Sequence, residues 1–284
     1  MKKSEIKKLK QQFSKHLKDF AGTLTKYVST PDKQWTIKGF IDIFQNIYTI
    51  SSDTKIISKV LEIHLFPKFF EFAEKNNFKL VFAEKQNWYP DISFVSKNDE
   101  RIKFAVDLKT TYRLDNYPGF CNGFTLGSHG EYFITRTRSK NIQYPYGEYI
   151  GHYCLGILYS RIANSKVDET KSYPLKDLKK IQSVIQDFQF FTCEKWAIAS
   201  DKSGSGNTAN IGSIDNIDDI LKGNGVFKKL GEKWFDDYWM NYGKITITDD
   251  KGKPKKITDL KSLLKYRGKN ESLYNPRAPK RKKK

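Results

Sequence analysis

KQNWYPDISFVSKNDERIKFAVDLKTTY, residues 85–112, decides the reading of this chain. DISFV (91–95) and RIKFAVDL (101–108) are rich in β-branched and aromatic residues and read as strands, with KNDE (97–100) as the turn between them. On a strand, residues i and i+2 share a face. Ile102, Phe104, Val106 and Leu108 therefore point one way, and Lys103, Ala105, Asp107 and Lys109 the other. Asp107 and Lys109 project side by side from a sheet whose opposite face is core. The turn folds this strand back on the one that begins at Asp91, which brings a second carboxylate to the same end. Two facing carboxylates favour a hard divalent cation, and oxygen ligands with retained waters suit Mg²⁺. A lysine beside them can hold a phosphate oxygen, stabilise developing negative charge or help deprotonate a water. Pro90-Asp91 followed downstream by an Asp-x-Lys also arises by chance in lysine-rich chains, where such a strand is only a solvated face. The hairpin placement adds weight to the first reading and leaves both open.

Working outward, FKLVFA (78–83) adds another strand. A helix is expected after Ser52-Asp53, capped by Asp53, with Ile56, Ile57, Val60, Leu61 and Leu65 as its buried stripe. Pro67 should kink or restart it. Apolar residues at Ile6, Leu9, Phe13, Leu17 and Phe20 mark an amphipathic helix over 4–20 with lysines on its other face, followed by a long polar stretch near 20–50. Tyr146–Ala163, apolar nearly all round, reads as a buried core helix. FQFFTCEKWAIAS (188–200) reads as a strand ending in the glycine-rich loop DKSGSGNTAN (201–210), and Phe227–Tyr242 as a helix around Trp234, Tyr238 and Trp239. No internal repeat is present. The expected class is α/β (α+β), a central mixed sheet flanked by helices. Its divisions are a basic helical segment over 1–50, a mixed strand-and-helix domain over 51–269 and a flexible basic tail over 270–284.

Of the net charge of +19, nearly all lies at the two ends. Residues 1–18 carry seven lysines against one glutamate, and residues 251–284 carry fourteen Lys/Arg against Asp259 and Glu271. Basic ends attract polyanions, and phosphate neutralisation releases counterions from DNA. The near-neutral middle implies a ligand that also needs carboxylates. Cys121, Cys154 and Cys193 are odd in number and widely spaced, which argues against a disulfide framework or a zinc knuckle and suits a reducing cytoplasm. No apolar run approaches the roughly 18 residues of a membrane span, and the N-terminus lacks the apolar segment of a signal peptide.

Several blocks, in order, resemble the EcoRV-like type II restriction endonucleases of the PD-(D/E)xK nuclease superfamily. They are SDTKIISKVLE (52–62), KQNWYPDISF (85–94), FAVDLKTTY (104–112), FTLG (124–127), KNIQYP (140–145), KWAIASDKSGSGNTANIGSI (195–214) and YRGK (266–269). The resemblance runs from about Ser52 to Lys269. It implies a Mg²⁺-dependent nuclease, with Mn²⁺ as a substitute, that binds duplex DNA as a homodimer and cuts a palindrome, with GATATC and a blunt central cut as the expectation. It places the catalytic carboxylates on Asp91 and Asp107, the lysine on Lys109, and an additional acidic, metal-associated residue on Glu62, with Lys55 on the same helix a secondary candidate. A major-groove recognition loop falls on Ser203–Asn210, with Gly204, Ser205, Gly206, Asn207, Thr208 and Asn210 as DNA-binding residues. Asparagine can bond adenine through two hydrogen bonds, and glycines allow close backbone approach. A minor-groove loop falls on Lys85, Gln86 and Asn87, and phosphate contacts or supports on Lys140, Thr111 and Arg267. Ala209 stands where the family has a second threonine, Lys85 where it has glutamine, and Trp88 where it has histidine, which bears on flanking preference. A cognate DNA methyltransferase is expected in the same host.

Other patterns carry less. Gly204–Ala209 fits GxGxxA, but Asn210-Ile211-Gly212 after it does not open a helix. No P-loop is present, no GIY precedes Tyr149-Ile150-Gly151, and His16, His64, His129 and His152 are scattered. PKRKKK (279–284) matches a nuclear import signal, but a DNA-attracting tail is the simpler reading. The competing functions are a non-catalytic DNA-binding protein, in which the carboxylates are vestigial, and a structure-specific repair nuclease of the same fold.

Overall fold

The hairpin around residues 97–100 forms as its alternation predicts. In the computed structural model, which describes residues 1–85, 87–138, 140–162, 168–204, 209–248 and 252–280, Phe78–Phe82 (β1), Ile92–Ser96 (β2) and Lys103–Tyr112 (β3) pair antiparallel in sequence. Thr125–Ser128 (β4) belongs to a second sheet. Tyr149–Arg161 (β5) runs parallel to β3, and Ile185–Glu194 (β6) closes the five-stranded sheet antiparallel to β5. Its order is β1-β2-β3-β5-β6. Ala199–Ser203 (β7) and Asn210–Ser213 (β8) join β4 in a three-stranded sheet of order β7-β8-β4. The architecture is a mixed α/β fold, as expected.

Each face of the large sheet carries its own core. On one side Phe94, Phe104, Val106, Tyr153, Leu155 and Ile157 meet two helices, Lys3–Val28 (α1) and Thr54–Lys75 (α2). On the other, Ala105, Cys154, Leu158 and Phe191 meet the second sheet and the C-terminal helices Ile217–Lys222 (α3), Glu232–Asn241 (α4) and Leu260–Tyr266 (α5). The face that carries Asp107 is therefore covered over much of its length.

Asp53 caps α2 as predicted, its carboxylate accepting from the backbone N–H groups of Lys55 and Ile56. Ile57, Val60, Leu61 and Leu65 are buried, but Ile56 is exposed, one position outside the apolar stripe. α2 runs through Pro67 as one helix to Lys75, continuing over KFFEFAEK without a restart. The 146–163 segment is the clearest departure from expectation. Over Tyr149–Arg161 it is strand β5, not a helix. A strand covered on both faces loses the alternation that marks a half-buried one, so its apolar run resembles a buried helix. The expected strand over 188–200 is broken by a tight turn at Lys195–Ile198, which passes the chain from one sheet to the other.

The 20–50 stretch is less polar in effect than expected. Strands Gly39–Ile41 and Asn46–Thr49 form a hairpin completed by Ser172–Pro174, and it exposes Phe40, Ile41, Ile43 and Phe44. The segment expected to be a free tail is partly bound. Asn275 donates to the Asn224 and Gly225 carbonyls, while Arg277 and Lys280 pair with Asp215 at 3.1 and 2.8 Å.

α1 is docked on the body rather than extended from it. The Phe13 ring stacks on Phe104 at 4.0 Å, with Phe72, Phe78, Phe94 and Tyr153 around it. Replacing Phe13 with Ala should cost about 3–5 kcal/mol in urea unfolding followed by far-UV circular dichroism. A loss below 1 kcal/mol would mean that α1 detaches without disturbing the core.

Candidate active site

Strand register brings the two carboxylates together. Ile92 stands opposite Val106, so Asp91, one residue earlier, stands opposite Asp107. The Asp91 Oδ2 accepts a 2.7 Å hydrogen bond from the Leu108 N–H, which fixes its side chain over β3. Two residues along the same face, the Lys109 Nζ lies 2.6 Å from the Asp107 Oδ2. The peptide bond between Tyr89 and Pro90 is cis. On the far edge of β3, Asp107 pairs with Cys154 and Lys109 with Gly156. Gly156 admits no side chain, because a Cβ there would stand 1.9 Å from the Phe191 ring.

Burial and like charge strain this pair. Burial first, and then the Asp107 charge, push the Asp91 carboxyl up to about 7. Burial alone would lower the Lys109 amine, but the Asp107 and Asp91 carboxylates outweigh it and hold the pKa above its usual value. Lys109 is therefore a firm cation. Two carboxylates crowded enough to retain a proton, with Asp107 only 7% exposed, form a donor set that fits a divalent cation. EcoRV-like nucleases generally use such ions.

A cleft of about 360 Å³ opens over the pair. Asp91, Asp107 and Lys109 line it together with Asn87, Lys140 and Asn210, so six of the residues picked from sequence share one cavity. On the other side of Asp91 and Lys109 lies a second cavity of about 860 Å³, walled by Lys55, Lys59 and Glu62 of α2 and by Thr111.

The remaining candidates sort by their contacts. Glu62 shares a cavity with Asp91, but its carboxylate accepts from Lys59 at 2.9 Å. Among the described residues no three His, Cys, Asp or Glu side chains gather to hold a metal, so Glu62 is not brought into the Asp91–Asp107 pair. Thr111 is buried, and its hydroxyl donates to the Asn122 carbonyl, making it a support rather than a phosphate contact. Arg267 ends α5 and forks onto Asp237 at 2.8 and 3.1 Å, lining neither cavity. The Gly204 N–H donates to the Asn210 carbonyl, closing the base of the 203–210 loop. Asn210 pairs with Ser128 on β4, which roots that loop beside the cleft. Gln86 and Ser205, Gly206, Asn207 and Thr208 lie outside the described residues.

Three residues of the cleft and its wall were not picked out from sequence: Gly127, Tyr132 and Lys195. Gly127, at φ +83°, turns β4 back over the cleft, and a side chain there would press on the Tyr132 hydroxyl and the Lys195 amine. The only local signal was a lysine heading the apolar run KWAIA.

Comparison with known proteins adds two findings. The model of the family described as Restriction endonuclease EcoRV matches residues 31–268. The type II restriction enzyme EcoRV of Escherichia coli is 35% identical over 222 residues, which cover 78% of this chain and 88% of that protein. The family model begins at residue 31, so α1 lies outside its match.

The raised Asp91 pKa has a definite sign in stability. An acid whose folded pKa exceeds its unfolded value near 3.9 binds more protons when folded. Its penalty is absent below pH 4, grows as pH rises towards 7 and is complete above that. Replacing Asp91 with Asn should therefore stabilise the protein in chelator by on the order of 3 kcal/mol at pH 8 and by little at pH 4. Thermal melts at the two pH values check this, and equal effects at both would show that Asp91 titrates as an ordinary carboxylate.

Proposed function

Given that this chain belongs to the EcoRV family of type II restriction endonucleases, and is a site-specific deoxyribonuclease, we propose that Asp91, Asp107 and Lys109 carry its cleavage chemistry with Mg²⁺ as the natural ion. The observation that carries this reading is the opposed, crowded carboxylate pair with a firm cation beside it, at the mouth of the cleft that also holds Asn210. Mn²⁺, similar in ligand preference, should substitute.

Asp91 and Asp107 are the residues that would hold the cation, with Glu62 as an auxiliary acid only if the second cavity closes. The bound ion would supply Lewis-acid stabilisation of the developing negative charge and acidify the attacking water. Lys109, drawn from Asp107 towards an entering phosphate, binds a non-bridging oxygen and stabilises the extra charge of the in-line transition state. The Leu108 N–H keeps the Asp91 carboxylate aimed into the cleft, so little reorganisation is needed at the moment of reaction.

The reading of the DNA site rests on family resemblance, supported by Asn210, Asn87 and Lys140 lining the same cleft. The 203–210 segment, which ends at Asn210, is proposed to read the major groove, with Asn87 and Lys140 meeting the strand being cut. The proposed site is GATATC, cut bluntly at its centre, in a host cytoplasm whose own DNA a methyltransferase protects. A palindrome calls for a two-fold protein. Two exposed apolar patches suit that role: Phe40, Ile41, Ile43 and Phe44 of the 39–49 hairpin, and Ile56, Ile63 and Phe70 at seven-residue spacing along α2.

Two experiments test the proposal. Plasmid digestion with Mg²⁺, beside Asp107→Ala protein and a chelator control, should give blunt fragments ending at GATATC from the unaltered protein alone. Staggered ends or other sites would remove the specificity, and intact DNA binding without any cutting would leave a non-catalytic DNA-binding protein. Separately, Ile43→Asp with Phe44→Asp should convert a dimer into a folded monomer in sedimentation velocity and reduce double-strand cleavage at least about 100-fold. A variant that still sediments as a dimer would place the two-fold interface elsewhere.

A further inference from the structure

Lys195 opens the turn that joins β6 to β7, and its side chain is buried at 3% exposure. Its amine has no hydrogen-bond partner among the described residues. It lies 4.7 Å from the centre of the Tyr89 ring and 5.5 Å from the rings of Phe133 and Tyr146, so aromatic faces are its main solvation. This box adjoins the active site. Tyr89 precedes Pro90-Asp91 in the chain, and a Cβ on Gly127 would stand 3.4 Å from the amine. The cleft wall of Tyr89, Gly127 and Tyr132 therefore has a lysine directly behind it.

The charges around this amine are uneven. Burial pushes it down to about 7, Asp107 and Asp236 favour its ammonium form, and Lys109 and Arg136 oppose it. His152, whose ring stacks on Tyr146 at 3.7 Å, is held neutral by burial first and then by the Lys195, Arg136 and Lys10 charges. A buried amine without hydrogen bonds costs stability, and departures of this kind concentrate at functional sites. A reason exists in the cleft itself. The single charge of Lys109, paired here with Asp107 at 2.6 Å, cannot fully compensate both that carboxylate and an entering phosphate.

We propose that Lys195 is a positioning residue for phosphodiester cleavage, a cation behind the cleft wall that sustains positive potential at Asp107 and at the phosphate when Lys109 leaves their ion pair. The inference rests on the Asp91–Asp107–Lys109 reading above. An anionic phosphate entering the cleft strengthens the ammonium form of Lys195, so its charge rises when Lys109 is drawn away. The same potential opposes cation binding by the carboxylates, which gives the idea a signature that packing alone does not produce.

The test is Lys195→Met, similar in length but uncharged, beside the unaltered protein and Lys109→Ala. Three effects are expected together. The melting temperature without DNA or metal rises. Calorimetric titration of the DNA-free protein with Mg²⁺ shows binding about 2- to 5-fold tighter. The single-turnover rate on a fragment that the unaltered protein cuts falls about 10- to 100-fold at saturating Mg²⁺. An unchanged saturating rate, or a variant that melts earlier or fails to fold, overturns the proposal and makes Lys195 a structural cation of its box. Failure of the unaltered protein to cut overturns the active-site reading itself, whereas equal cutting by both proteins overturns only this inference.

Discussion

Two negative charges are forced to face one another across a pair of antiparallel strands, and much of this molecule is arranged around that conflict. The pairing of Ile92 with Val106 leaves no freedom in the matter: with that register, Asp91 and Asp107 must meet. Slipping by one residue would turn Phe104 and Val106 out of the helix-side core, so the apolar face enforces what the polar face opposes. The Leu108 N–H, the Lys109 amine and the buried strand beyond answer the repulsion without removing it. A site that is uncomfortable without a cation is suited to acquire one.

What could be read in advance came from locality. The 91–109 hairpin announces itself through strict alternation and a polar turn, because each strand buries one face more deeply than the other. The cap at Asp53 and the lysine-backed stripe of α1 are local patterns as well, and both appear in the structure. Strand β5 hid for the opposite reason. Enclosed between β3 and β6 and covered on both faces, it has no polar side to mark its period, and Gly151 and Gly156 were not enough to identify it as a strand. The break at Lys195–Ile198 depends on where the second sheet lies, which no window of neighbouring residues contains.

The site divides along the same line. Asp91, Asp107 and Lys109 were legible because one hairpin carries all three. Asn87, Lys140 and Asn210 were reached through family resemblance, and their convergence on one cleft is a tertiary fact. Glu62 and Arg267, carried over by the same resemblance, are held by Lys59 and Asp237 instead. A side chain's chemistry can be read from its type, but its availability depends on which counter-charge reaches it first.

One ion pair bears on the order in which the chain becomes itself. Lys10 of α1 lies 2.8 Å from both Glu194 and Glu232, the second of them 222 positions away in sequence. α1 therefore finds the second of its charged partners only once Glu232 has been made, and its aromatic docking site waits for Tyr153 of β5. Contacts of such long separation form late in folding. The hairpin with the carboxylates is made long before then, and the second sheet follows only at Ser213. The strands that carry the carboxylates are thus made well before the helix packed behind them can lock into place.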